Sequence, residues 1–271
     1  MHDIPDSAAS RAPEEPGQRP VFFEKDGDAY LPEEACRSPW NPGATNGIAV
    51  AGLLMHALEQ VETPGVMLPA HLTIDILRPV PFAPTLARST VTRAGKSLQM
   101  VESHLIAGET PVARARLLRV REEPSPSVDA PMTWPAPEDT PLTPFLPPGI
   151  ALADLIETRL TAGDAHAKGP GTTWTRLNAD LVRGVPTSPI VHAAMLSDFG
   201  NGLSRVVDPR KWSFANVDIS LHLVRRPMGE WLLADAQAML QGVGVGLTDM
   251  ILCDRQGPFG RAHQTLFVAA R

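Results

Sequence analysis

The sequence predicts an α+β fold written twice, in which two tandem units each wrap an antiparallel sheet around one long buried helix. Three observations predict it. The first is an internal repeat: "LTIDILRPVPF" at 72–82 returns inside "VDISLHLVRRPMGEW" at 217–231. Aligning Arg78 with Arg225 sets an offset of 147 residues (225 minus 78). The same offset pairs Thr73 with Ser220, Ile74 with Leu221, Ile76 with Leu223, Gly95 with Gly242 and Arg114-Ala115 with Arg261-Ala262. Matches spread over some forty residues without a gap mark a duplication, and two copies are too few for a solenoid. The second is the run "TNGIAVAGLLMHALEQV" from Thr45, whose helical spacing is apolar on nearly all sides, as in a helix enclosed by other structure. The third is the proline-dense stretch 121–149, which divides the chain between the copies.

In chain order, residues 1–19 are polar and proline-bearing and read as a disordered arm. "VFFEKDGDAYLP" reads as two short strands joined at "KDGD". The apolar helix follows, with Thr45 or Asn46 as its cap. After it come three strand-like runs, "AHLTIDILRPV", "LARSTVTRAGKSLQMVESHLIAG" and "PVARARLLRV". Beyond the linker the order recurs: "IALADLIETRL" and "TTWTRLNADL" as strands, "SPIVHAAMLSDFGNGLSRVV" as a helix, then three strands from Phe214 to the end, the last two joined at "DRQG". The expected units are therefore an arm at 1–19, a first repeat at 20–121, a linker at 122–149 and a second repeat at 150–271. A long buried helix followed by an antiparallel sheet that curls around it describes the hotdog fold, and two copies describe a double hotdog. A duplicated α+β unit of some other topology is the alternative.

Composition excludes several classes of function. The 271 residues carry a net charge of −6, so no broad footprint for nucleic acid or an anionic membrane surface is expected. No stretch reaches the ~18 apolar residues of a membrane span and the start lacks an apolar leader core, which together predict a cytoplasmic protein. Cys36 and Cys253 have no Cys or His partner at metal spacing and read as small apolar residues. No metal or organic cofactor is expected.

Four segments carry a resemblance: "WTRLNADL" with "SPIVHAAMLSDFGNGL", then "SFANVDISLHLVRRPMGEWLL", then "GVGVGLTDMILCDRQGPFGRAHQTLFV", and more loosely "SPWNPGATNGIAVAGLL". Together they resemble the acyl-CoA thioesterase II (TesB-like) family of double-hotdog proteins. The resemblance implies hydrolysis of acyl-CoA to a free acid and coenzyme A, in a homo-oligomer. It places the family's catalytic acid on Asp198, its glutamine on Gln264, and its third member, a threonine or serine, on Asn216, where this sequence departs from the pattern. An enoyl-CoA hydratase of the same fold would need a histidine after the aspartate, and "SDFGNGLSR" has none. A relative that binds acyl-CoA without turnover is the other alternative.

The residues fit that chemistry independently. Hydrolysis of a thioester needs a directed water, a group to take its proton and donors for the developing oxyanion. Asp198 is an ionisable group in an apolar stretch, on the stripe Val191, Met195, Gly202, where desolvation would make it a better base. Gln264 interrupts the last strand with an amide suited to holding a water. Asn46 and Gly47, at the first helix start, offer free backbone N–H groups. Arg225 and Arg226, like Arg93 and Lys96, could meet the phosphates of coenzyme A. The plainer readings are a solvated helix face for Asp198, an outward strand position for Gln264, a strand edge for Asn216, and packed or surface places for His192, His222 and His263. At the 147 offset Asp198 and Gln264 fall on Ala51 and Leu117, which predicts one active site per chain.

Overall fold

The computed structural model describes residues 19–128, 131–132, 134–144, 146, 149–164 and 167–271, so the expected arm lies outside it except for Arg19. The first unit opens with the hairpin β1 (Val21–Asp26) and β2 (Ala29–Pro32), turned by Gly27 at φ 55°, a conformation that favours glycine. Helix α1 (Gly47–Glu59) is capped by Asn46, whose side-chain oxygen accepts the Ala49 N–H at 2.9 Å. Every α1 residue from Ile48 to Leu58 is buried. Four strands follow, β3 (Met67–Ile76), β4 (Thr85–Ala94), β5 (Leu98–Ala107) and β6 (Thr110–Arg121), and curl around the helix. The second unit repeats this: β7 (Ile156–Ala162) and β8 (Gly171–Leu177), an added short strand β9 (Asp180–Val182), a helical segment, then β10 (Trp212–Leu223), β11 (Trp231–Leu240), β12 (Val245–Asp254) and β13 (Gly257–Ala270).

All thirteen described strands form one sheet in the order β7-β8-β11-β12-β13-β10-β3-β6-β5-β4-β2-β1-β9. Leaving out β9, the order reads the same from both ends once each strand is replaced by its repeat. The two units meet where the repeated strands β3 and β10 pair antiparallel, with Thr73 opposite Ser220. Those two residues are themselves repeats of each other, so a local two-fold axis passes between them. The symmetry extends to irregularities: β3 bulges between Pro69 and His71, β10 between Asn216 and Asp218, again 147 apart. The architecture is a double hotdog.

Three expectations change. The helix expected over 188–207 stops early: α3 (Pro189–Leu196), capped by the Ser188 hydroxyl, ends, and a short turn α4 (Gly200–Leu203) follows, so Asp198 stands in the break between them. "IALADL" is a short helix, α2 (Ala151–Leu155), because Leu152 and Leu155 turn one face to the core. Each set of three late strands is four: "LARSTVTRAGKSLQMVESHLIAG" is the β4–β5 hairpin, and β10–β13 fill the end. Residues 241–244 are the β11–β12 turn, with Gly242 and Gly244 at positive φ, and Val245 and Gly246 open β12.

α1 and α3 pack antiparallel at the centre. The Ser188 hydroxyl at the start of α3 donates to Glu59 at the end of α1 at 2.9 Å. A Cβ on Gly52 would come within 2.7 Å of Met195, so the helices approach as closely as glycine allows. Matching the caps Asn46 and Ser188 gives the helices an offset of 142 (188 minus 46), not 147, because α1 runs on where α3 breaks. The repeat of Asp198 is therefore His56, whereas Gln264 still falls on Leu117: Ile219 faces Gln264 as Leu72 faces Leu117.

Candidate active site

The bulge in β10 sets up the site. Ile219, Leu221 and Leu223 face the core, and unbroken alternation would put Asn216 on the opposite face of the sheet; the extra residue at Val217 brings it inward. On β13 the inward row is Ala262, Gln264, Leu266 and Val268, with Gln264 fully buried as its one polar member. Both amides converge on the break between α3 and α4.

A closed set of hydrogen bonds results. Asn216 Nδ2 donates to Asp198 Oδ1 at 2.6 Å, and Asn201 Nδ2 donates to Asn216 Oδ1 at 2.8 Å. The Asn201 backbone N–H donates to Gln264 Oε1 at 2.9 Å, and Gln264 Nε2 donates to the Ser197 carbonyl at 2.7 Å. Gln264 spends one N–H and one lone pair on the two ends of the turn that carries Asp198, and so braces that turn. A Cβ on Gly200 would lie 2.9 Å from Gln264 Oε1, which is why the turn needs glycine there.

Asp198 is partly buried among protein groups. Desolvation pushes its carboxyl up to about 7, against the pull of the Asn216 hydrogen bond. The start of α1 closes the other side: a Cβ on Gly47 would stand 2.6 Å from Asp198 Cγ. The Gly47 and Ile48 N–H groups belong to the first helical turn and have no carbonyl one turn back, so they are donors available to an anion beside Asp198. Asn46 contributes as the cap, its Nδ2 donating to the Ala35 carbonyl at 2.8 Å. The expected catalytic trio and the Asn46-Gly47 helix start are thus brought together from both units.

Arg225 and Arg226 are not. Nine residues of extended strand, ~30 Å, separate Arg225 from Asn216. Arg225 is committed to the buried Asp254 through bonds of 2.6 and 2.7 Å, and Arg226 donates to Glu122 at 3.1 Å and to the Met67 carbonyl. Nor does a histidine join the trio. His192 is buried with Thr175 at 3.0 Å and driven by desolvation to about 3, while His222 stacks on His71 and His263 pairs with Asp249.

Sequence reasoning missed Arg205. It lines a narrow crevice with Asn201, Ser204, Phe214 and Leu266, and its buried Nε has no hydrogen-bond partner. No sequence signal marks it, since it lies past the end of α4. Trp40, exposed on the loop before α1, packs its ring 5.9 Å from that of Phe214 at the same rim.

Among the described residues no helix is long and apolar enough to cross a membrane. No curated protein matches the sequence. Several solved structures share its fold. One is a conserved hot dog fold protein of unknown function from Alicyclobacillus acidocaldarius (TM-score 0.71, 18% identity, 92% of this chain and 96% of that one). Others are the acyl-CoA thioesterase II TesB2 from Mycobacterium marinum (0.64, 18%, 84% and 92%) and a tesB protein from Mycobacterium avium subsp. paratuberculosis (0.65, 14%, 91% and 95%). Family models match by sequence as well, the acyl-CoA thioesterase N-terminal domain over residues 36–120 and the C-terminal domain over 126–268. With both halves matched in order, and a two-unit sheet of the kind those structures share, the chain belongs to the acyl-CoA thioesterase family and is a thioester hydrolase.

Proposed function

We propose that the enzyme hydrolyses a fatty or related acyl-CoA at a single site between the two units, with Asp198 as general base. The observation that carries this reading is the carboxyl held near neutrality between the Asn216 amide and the first turn of α1. Asn216 fixes Oδ1, which leaves Oδ2 to take a proton from water. The hydroxide oxygen bonds to the thioester carbonyl carbon, and the carbonyl oxygen becomes an anion facing the Gly47 and Ile48 N–H groups. Collapse restores the carbonyl, breaks the C–S bond and expels the coenzyme A thiolate, which recovers the proton from Asp198. Gln264 is a positioning residue that fixes the turn, and Arg205 at the rim is the unpaired cation for an anionic part of coenzyme A. The protein works in the cytoplasm as a homo-oligomer, for which the end of the sheet at β7 offers a surface.

The test is steady-state release of free thiol from a panel of acyl-CoAs. Wild type should turn over, and Asp198→Asn should lose about 10² to 10⁴ in kcat while acyl-CoA still binds. Binding without turnover by wild type would identify an acyl-CoA carrier instead, and a fully active Asp198→Asn enzyme would remove the base assignment.

A further inference from the structure

The duplication leaves a second cavity where the first unit repeats the crevice of the candidate site. It has a volume of about 280 Å³ and is lined by Met55, Glu59, Met67, Pro69, Arg119 and Arg226, with Thr63 at its mouth. Four lining positions correspond. At the helix offset of 142, Glu59 and Thr63 repeat Asn201 and Arg205; at the strand offset of 147, Met67 and Arg119 repeat Phe214 and Leu266, while Pro69 repeats Asn216, which lies beside the crevice. The two lie at opposite ends of α1, whose thirteen residues separate them by ~20 Å.

Chemistry at the repeat is disabled. His56 stands in place of Asp198, buried edge-on against Tyr30 at 6.1 Å. Pro69 replaces Asn216, and Pro189 replaces Gly47 at the first position of its helix, so an N–H that could meet an oxyanion is gone. Space and cations remain. Met55, Met67 and Pro69, with Ile190 from α3, give apolar walls. Arg119, buried, has its guanidinium held by the carbonyls of Leu58 and Val61 and by Gln99. Arg226, half-exposed at the lip, is paired with Glu122, itself exposed enough that exchanging it for another carboxylate costs little. Glu59 accepts the Ser188 hydrogen bond and its charge offsets Arg119, which leaves Arg226 as the cation that meets a ligand.

We propose that this cavity is a non-catalytic binding site for an aliphatic monocarboxylate, its carboxylate on Arg226 beside Arg119 and its hydrocarbon along Met55, Met67 and Ile190. Turnover plays no part in that assignment, so it stands or falls separately from the hydrolase reading. The probe is octanoate, titrated into full-length protein carrying ¹³C-methyl methionine. The chain has nine methionines, few enough to assign individually through Met→Leu variants. The Met55 and Met67 methyl signals should shift saturably, Arg226→Gln should weaken that response about tenfold, and octanamide, which lacks the charge, should leave both signals unmoved. Unshifted signals from the other methionines in Arg226→Gln report an intact fold. Silence at Met55 and Met67, an equal response to octanamide, or an Arg226→Gln variant that binds like wild type would each overturn the proposal.

Discussion

Burial lifts the Asp198 carboxyl to about 7 and the Asn216 amide pulls it back, so the pH behaviour of this one residue is open to measurement. The rate kcat/KM should rise with pH through a single ionisation near 7, since only the carboxylate accepts a proton. Asn216→Ala removes the hydrogen bond that favours the charged form and should move that midpoint upward, whereas Asn216→Thr keeps a donor and should hold it near the wild-type value. Stability carries the opposite signature. The folded value lies above the ordinary 3.8, so the native state retains a proton that the unfolded chain gives up, and wild type loses stability as pH rises from about 4 to about 7. Asp198→Asn lacks this term. In chemical denaturation it should exceed wild type at pH 8 by up to about 4 kcal/mol, with the advantage vanishing near pH 4. Asp198 was singled out in the sequence by the family resemblance, and an ionisable group in an apolar stretch fitted that choice. Arg205 was not, because what sets it apart is the lack of a partner in space.

At the scale of elements, two tight approaches govern the site: α1 against the α3–α4 break, and that break against β13. Gly47→Ala adds a methyl against the Asp198 carboxylate in a first helical turn that tolerates alanine. Turnover should fall at least about tenfold with the thermal midpoint nearly unchanged, as thiol release and calorimetry on the same sample would show. A loss of stability instead would mean that the contact serves folding. The periodicity of "IAVAGLLMHALE" reveals α1, because burial on all sides leaves a long apolar signature. α3 could not be delimited in the same way: "MLSDFGNGL" keeps helical spacing through the break, and what ends the helix is Gln264 drawing on the Ser197 carbonyl from a strand 67 residues away. The β10 bulge is equally silent in sequence, since it shows only when the paired strand is present.

For the whole molecule, the repeat offset of 147 held from β3–β6 to β10–β13, the strands that meet at the β3–β10 seam; it failed for the helices and for the opening hairpins, since β1 starts at Val21 and β7 at Ile156, 135 apart (156 minus 21). The proline-rich connector is not free of the second unit. Met132 and Trp134 pack with Trp174, Trp231 and Cys253, the Trp174 ring N–H donates to the Pro135 carbonyl at 2.9 Å, and Arg255 pairs with Glu138. The halves nevertheless share the α1–α3 core and the β3–β10 ladder. A protease cut placed between Glu122 and Pro148 should therefore leave both fragments in one particle by size-exclusion chromatography, and two separately eluting fragments would show independent domains.

The strand that breaks the symmetry, β9, sets an order of events during synthesis. It lies parallel to β1, with Val21 opposite Asp180 and Phe23 opposite Val182, and the Arg183–Glu24 and Arg19–Asp180 pairs fasten the join. A ribosome emits β1 some 160 residues before the strand that covers it. At ~5–20 residues per second the first unit waits ~8–30 s with an unpaired edge, long compared with the ~1–10 μs in which a hairpin forms. The nascent first unit is thus complete in its own hairpins yet open to a wrong partner until the chain supplies its own.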